Sequence, residues 1–552
     1  MITVLHLRRV LLCLICLGLV IAPSSGTPVS QASSALAPVS TYVWAEVRER
    51  GEADVLVIMD GQADLSGAAL LPTKEAKGRH VFDRLRTVAL ESQAALVSHL
   101  RHRGIPYRSF YIVNMVRVVA DTELLLQLAE RPDVARLEAN PRVRVELPSG
   151  LPDATGDQNA GTQSIPWGIE RVHAPDVWGM GIRGQGTVVA GNDTGILWDH
   201  PALKASYRGW DGAGAVHDSN WHDAVNGLPE PYDDHGHGTI TLGTVVGAGG
   251  DEKQIGMAPE ARWIGCKNMD GSGEGTPARY IECFEFFLAP YAQGSDPTDG
   301  DPGLAPDVIN NSWTCPPGEG CDPYALQVAV AAVRAAGIVD VFAAGNYGSG
   351  CNTVQYPPAT YEDALTVGAF SSGGAIAGFS SRGPVTADGS GRLKPDVVAP
   401  GVQVLSSTRG GGYDTGNGTS MAAPHVAGQV ALMLTANPAL RGQVDAIEEI
   451  IVDSAAPVAA IEACGGEAPG VVPNNTWGHG IIDALEAVKA ALHWGEATPT
   501  STASATLTSS PTATRTATHS ATPSATPSAT GTPTMPPGWR VHIPRVQHIS
   551  TD

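Results

Sequence analysis

Three residues of this chain have the types and surroundings needed to turn a hydroxyl against a carbonyl. Ser420 lies in GNGTSMAAPHVAG, Gly416 to Gly428, after a glycine-rich loop and before small apolar residues and a proline. Such a run opens a buried helix. At a helix N-terminus the unpaired N–H groups and the macrodipole favour negative charge, including the oxyanion formed when a serine attacks a carbonyl. A serine there also serves as a plain cap, and Pro424, read as a first-turn proline whose missing N–H had no partner, suits both readings. The decision rests on a base and an orienting acid. His237, in DDHGHGTITLGTVVG, precedes a second helix of small residues, and Asp193 ends the β-branched run of TVVAGNDTGILWDHP. A histidine that takes the serine proton and a buried aspartate that holds its tautomer complete a set for acyl transfer. Taken singly, Asp-Thr-Gly is a common turn and a histidine before glycine is usually a cap. In the order Asp193, His237, Ser420 they form one of the chain orders in which such triads occur.

The elements that must hold these residues run from about Ile165 to Trp494. Short apolar stretches such as GTVVAGNDTG, PDVINNSW, GIVDVFAAGN and DALTVGAF alternate with helical ones such as YALQVAVAAVRAAG. Strands apolar on both faces and separated by helices predict an α/β, doubly wound, mostly parallel sheet with helices on both faces. Functional groups collect at the carboxyl ends of such strands. Ahead of this region, residues 42–147 read as a smaller α+β unit. It has a strand at Ala53 to Asp60, a helix over His80 to Gly104, one or two strands over Tyr107 to Asp121, a helix in TELLLQLAERPDV and a last strand pair in ARLEANPRVRVEL. That β-α-β-β-α-β order predicts a ferredoxin-like arrangement. Residues 148–164 read as an exposed connector.

At 552 residues the chain has room for two or three domains. Residues 1–26 read as a secretory signal peptide, with Arg8 and Arg9 before the apolar run Val10 to Ala22, too short to span a membrane. Of eight cysteines, Cys13 and Cys16 lie inside this signal. The other six suit disulfides in an exported protein. Only Cys315 and Cys321, in CPPGEGC, suggest a pair by proximity, and no spacing resembles a zinc site. The formal charge of −21 argues against nucleic acid as a partner. Residues 497–537 are a Thr/Ser/Pro-rich linker that cannot bury a core, and 538–552 form a short tail. The linker suits a tether to an envelope, although no LPxTG-like sorting motif is present.

With these motifs assembled, the chain resembles the subtilisin-like serine peptidases, in particular their bacillopeptidase F-like branch. NDTG around Asp193, HGT at His237 to Thr239, AAGN ending at Asn346 and GTSMAAPHVAG around Ser420 carry the resemblance. SSRGP, LKPDVVAPG and WGHGIIDALEAV support it. The resemblance implies a secreted serine endopeptidase made as a zymogen. Asp193 would orient the base, His237 act as general acid and base, Ser420 be the nucleophile, and Asn346 supply an oxyanion donor. Residues 42–147 would be an inhibitory propeptide, cut off within 148–164. A protein or peptide substrate would lie as an extended strand between Gly271, Ser272 and Gly273 on one side and Ser312, Trp313 and Thr314 on the other. Ser312 to Thr314 and Ala343, Ala344 and Gly345 would wall the first pocket, with Gln355 at its floor.

Departures from the family pattern carry expectations of their own. Ile240 stands where many members have a second histidine, so packing beside the base must differ. The chemistry needs no cofactor. The aspartate that usually ligates the strong calcium site falls at Ala202, and Gly250 replaces an asparagine ligand with Asp251 beside it, so that site is expected to be absent and calcium elsewhere stays open. A sedolisin-type acid peptidase would need Glu and Asp where this chain has His237 and Asn346.

Overall fold

The computed structural model of the protein describes residues 36–144, 165–249 and 253–496. The expected signal peptide, connector, linker and tail lie outside these, as do Gly250 and Asp251.

The N-terminal part begins with a helix that the sequence reading left unassigned, α1 (Thr41–Arg50), which buries only Val43 and Val47. Then follow β1 (Glu52–Met59), α2 (Lys74–His102), β2 (Tyr107–Phe110), β3 (Met115–Asp121), α3 (Thr122–Ala129), β4 (Val134–Ala139) and the two-residue β5 (Val143–Arg144). The first four strands form an antiparallel sheet in the order β2-β3-β1-β4. The expected last strand pair is corrected here: β4 pairs with β1, whereas β5 pairs with a strand of the following part. Asn140, Pro141 and Arg142 separate the two strands, and a proline offers no N–H with which to carry β4 onward.

The second part contains α4 (Trp167–Arg171), α5 (Ala174–Gly179), β6 (Val188–Asp193), β7 (Trp221–Asp223), α6 (His237–Val246), β8 (Arg262–Lys267), β9 (Glu274–Gly275), α7 (Pro277–Leu288), β10 (Val308–Asn311), α8 (Ala325–Ala335), β11 (Val339–Ala343), β12 (Leu365–Phe370), β13 (Val397–Pro400), β14 (Val404–Ser407), β15 (Tyr413–Gly416), α9 (Thr419–Ala436), α10 (Val444–Ser454) and α11 (Ala484–His493). Seven strands form a parallel sheet in the order β13-β12-β11-β10-β6-β8-β7. The strand order changes direction between β6 and β10, the kind of switch point at which α/β sheets open a crevice. β10 to β13 are buried along their whole length, as a sheet covered on both faces requires.

Two helices run through the interior rather than over it. Every residue of α6 is buried, and α9 is buried from Thr419 to Leu434. Ala422, Ala423, Ala427 and Gly428 keep α9 thin enough to pass between the sheet and its neighbours. Gly418, just before it, has φ +139, a backbone state that side chains rarely adopt. Three disulfides close this part: Cys266–Cys283, Cys315–Cys321 and Cys351–Cys464.

The N-terminal part lies against α7 and α8. Phe82, Leu85, Phe110 and Ile112 share one apolar cluster with Phe284, Phe287 and Leu288. Polar contacts fix the register. Glu285 accepts from the backbone N–H of Tyr111 (2.5 Å) and Ile112 (3.2 Å), Arg108 pairs with Glu282 (2.9 Å), and Lys74 Nζ pairs with Asp307 (2.7 Å). Among the described residues no helix is long and apolar enough to cross a membrane.

Candidate active site

The sheet brings the three separated motifs to one end. Asp193 is the last residue of β6, Ser312 follows β10 directly, and Asn346 lies just past β11. His237 opens α6 and Ser420 is the second residue of α9, so both stand where unpaired N–H groups gather.

Asp193 and His237 are 1 % exposed each, and His237 Nδ1 donates to Asp193 Oδ1 at 2.6 Å. The same oxygen accepts from the Thr194 N–H at 2.7 Å, and Thr241 Oγ1 reaches the other at 3.5 Å. This arrangement puts the imidazole proton on Nδ1 and presents Nε2 as an acceptor. Nε2 is buried and has no hydrogen-bond partner among the described residues. The Ser420 hydroxyl donates to the Ser312 carbonyl at 3.3 Å. It must turn toward Nε2 before it can be deprotonated, a tightening that catalytic groups commonly reserve for the bound complex.

Asn346 is held by Thr419, whose N–H and Oγ1 donate to Asn346 Oδ1 at 2.9 and 3.1 Å. With Oδ1 engaged there, the amide nitrogen is directed away from Thr419. Gly345 N–H donates to Thr419 Oγ1 at 3.2 Å, which ties the β11 end to the start of α9.

Pro424 is not in the first helical turn. The helix starts at Thr419, so Pro424 is inside it, and the carbonyl it deprives of its i+4 donor is that of Ser420. The capping expectation misplaced the boundary because Gly418, rather than a polar residue, ends the loop.

The expected substrate-binding residues are gathered in part. Gly271 and Gly273 abut Asp234 and His235: a Cβ added there would stand 3.0 Å from Asp234 Cγ and 3.3 Å from His235 Nε2. Just beyond them, β9 already carries a strand, because Val143 and Arg144 of β5 pair antiparallel with Gly275 and Glu274. Arg144 N–H donates to Glu319 at 3.0 Å, and Arg142 lies 3.5 Å from Glu274. Ser272 and Gly271 are exposed on this lane. Opposite them, the Ser312 carbonyl faces the Ser420 hydroxyl, while the Trp313 side chain turns inward, stacked on Tyr280 at 4.0 Å and donating to Asn192 O at 3.0 Å. Only the backbone of Trp313 is left for a ligand. Thr314 Oγ1 bonds the Tyr347 hydroxyl at 2.8 Å, and Tyr347 meets Tyr356 edge to face at 4.5 Å. Ala343 and Ala344 are buried at the β11 end. Gln355 is exposed and its amide donates back to the Asn352 carbonyl.

Several residues that hold the site were not singled out from sequence. Lys267, fully buried at the end of β8, donates to the Thr194 carbonyl and pairs with Asp234 at 2.6 Å, linking the acid loop to the base loop. Asp233 accepts from Gly236 N–H (2.7 Å), Thr239 N–H (3.0 Å) and Thr194 Oγ1 (3.0 Å) and so shapes the turn into His237. Beneath the site an amide chain runs from Asn268 to Asn192 (2.7 Å), from Asn192 to Asn311 (2.8 Å), and on to Asp340. Burial pushes the Asp340 carboxyl well above the usual range. The signals for these were present as adjacent polar pairs, ND at 192–193 and NN at 310–311, inside otherwise apolar strands.

The two local departures also have a physical setting. Ile240 packs with Val404 and Met421, an apolar seam between α6 and α9. Ala202 packs with Ile255, Leu405 and Tyr413. Among the described residues no group of three or more His, Cys, Asp or Glu side chains could hold a metal ion.

The subtilase family profile matches residues 184–480. Bacillopeptidase F of Bacillus subtilis (strain 168) is 34% identical over 500 residues, 85% of this chain and 34% of that protein. Subtilisin E of the same strain is 33% identical over 338 residues, 61% of this chain and 74% of the relative. Subtilisin Savinase of Lederbergia lenta is 36% identical over 277 residues, covering 50% and 86%. The chain therefore spans about a third of the length of bacillopeptidase F and most of the length of the two subtilisins.

Proposed function

The chain belongs to the subtilase family, and from that premise we propose that it is a secreted serine endopeptidase, made as a zymogen, that cuts protein substrates bound as an extended strand. The observation that carries this reading is the 2.6 Å bond from His237 to Asp193, with Nε2 unpartnered among the described residues and Ser420 at the mouth of α9. His237 takes the Ser420 proton through Nε2 as Oγ attacks the scissile carbonyl. Asp193 keeps the tautomer and stabilises the imidazolium. The tetrahedral oxyanion is met by the Asn346 amide and the Ser420 backbone N–H. His237 then gives its proton to the leaving amine, and water, deprotonated by the same nitrogen, releases the acyl-enzyme. No step calls for a cofactor.

Residues 42–147 act as the propeptide. The support for this is β5, which lies beside the lane that a substrate strand would use. Cleavage within 148–164 frees that lane. A signal peptide at 1–26 directs export, and the 497–537 linker with its tail offers a tether.

Intact mass of the protein made from the full chain, beside its Ser420→Ala variant, tests the whole reading. Loss of everything before about residue 165 in the wild type alone supports it. Retention in both would point to an inert chain or to maturation by another protease.

A further inference from the structure

In an α-helix each N–H closes on the carbonyl four residues earlier. Position 424 of α9 is a proline, so the Ser420 carbonyl lacks the N–H four residues on that would normally close on it. A buried carbonyl left unpaired is costly. Here the donor comes from outside the helix: Ser312 Oγ donates to Ser420 O at 3.1 Å. The Ser312 hydroxyl is itself aimed, because Asn310 Nδ2 donates to it at 3.1 Å, which commits its proton to Ser420. Ser420 returns a bond to the Ser312 carbonyl at 3.3 Å. All three residues are at most 2 % exposed. The end of β10 and the start of α9 are thereby laced together at the residue that would attack.

We propose that Ser312 is a positioning residue for the nucleophile: its hydroxyl, aimed by Asn310, holds the Ser420 peptide unit that Pro424 has released from the helix. This rests on the reading of Ser420 as the nucleophile. It is separate from any contact of the Ser312 backbone with substrate, since the side chain spends both its donor and an acceptor inside the protein. Fixing that peptide unit fixes the Ser420 N–H and the starting direction of Oγ together.

A double-mutant cycle of Ser312→Ala and Pro424→Ala tests the proposal on protein made from the full chain. It is read as kcat and KM on a peptide, and as the labelling rate by a small fluorophosphonate that reacts with the serine without using the peptide lane. Ser312→Ala is expected to lower kcat and the labelling rate together, about tenfold, with KM changed less than about twofold. Pro424→Ala gives the Ser420 carbonyl a helical donor, so in that background the loss of the Ser312 hydroxyl is expected to cost less than about twofold. If Ser312→Ala fails to accumulate, recovery of folded, labelled protein in the double variant supports the proposal and continued failure overturns it. An unchanged labelling rate, a loss confined to KM, or additive losses in the cycle also overturn it. A wild type that the phosphonate does not label overturns the nucleophile reading and this proposal with it.

Discussion

Glu285 offers a quantitative test of how the N-terminal part is held. The residue is fully buried on α7, and its Oε1 accepts the N–H groups of Tyr111 and Ile112 from across the interface. Oε2 is buried without a partner among the described residues, so a proton there is the cheapest way to keep the carboxyl dry. Burial pushes its pKa from 4.5 up to about 7, against the opposing pull of Arg108 and of the two backbone N–H groups. A docked carboxyl that holds its proton more tightly than an undocked one stabilises docking at low pH, and loses that contribution as pH rises from 4.5 to about 7. At ~1.4 kcal/mol per pH unit the loss is roughly 3 kcal/mol, or about two orders of magnitude in the opening equilibrium. Glu138 is pushed up to about 7 by burial and by Asp322, and acts in the same direction. The assay is hydrogen exchange at the Tyr111 and Ile112 amides in the full-length Ser420→Ala variant, corrected for intrinsic rates, between pH 4.5 and 7.5. Protection is expected to fall across that range. Glu285→Gln, which keeps an acceptor but cannot ionise, is expected to remove most of the slope. An unchanged slope in the glutamine variant, or protection that rises with pH, would refute the argument.

Three further outcomes follow from the site and its frame. On the proposed mechanism Asn346→Ala removes one oxyanion donor and should lower kcat by ~10²–10³ with little change in KM, measured on a chromogenic peptide. Removing the Cys351–Cys464 bond, which closes a separation of 113 residues, should cost ~4.8 kcal/mol, against ~2.2 kcal/mol for Cys315–Cys321 with a separation of 6. With ~2.1 cal/mol/K per residue over ~440 ordered residues, since this form keeps its N-terminal part, the melting midpoint of the Ser420→Ala form should fall by roughly 5 °C and roughly 2 °C respectively, and the reverse order would contradict the loop argument. Gly195→Ala should yield no soluble protein, because its Cβ would stand 2.0 Å from the Tyr232 carbonyl at φ +115; normal yield in a sedimentation assay would show that the turn can relax.

Much of the site was legible because each part sits in one contiguous motif whose local structure its own residues dictate. Asp193, His237 and Ser420 each stand at an element end that glycine and threonine mark in the sequence. The parallel sheet was legible for a similar reason, since strands buried on both faces cannot hide their apolar runs. What escaped depended on distant partners. Nothing near Cys266 or Cys351 names Cys283 or Cys464 as a partner. The two-residue β5 owes its existence to its partner β9 in the following part rather than to its own pattern. Helix α1 escaped because only two of its side chains are buried, which leaves too little periodicity to read. The Asn192–Asn311–Asp340 chain looked like ordinary strand content until the sheet laid the three side by side.

The Cys351–Cys464 bond has a topological consequence for a molecule proposed to carry its own blade. The covalent ring it closes contains Ser420 and the whole of α9, while Asp193, His237 and Asn346 lie on the open chain before it. A single self-inflicted cut inside the ring opens a loop but releases no fragment, whereas a cut ahead of Cys351 splits the backbone into pieces that only packing and any remaining disulfide can retain. Damage is therefore forgiven unevenly: nicks around Ser420 leave one particle that falls into two bands only after reduction, and lasting inactivation begins on the side of Asp193 and His237.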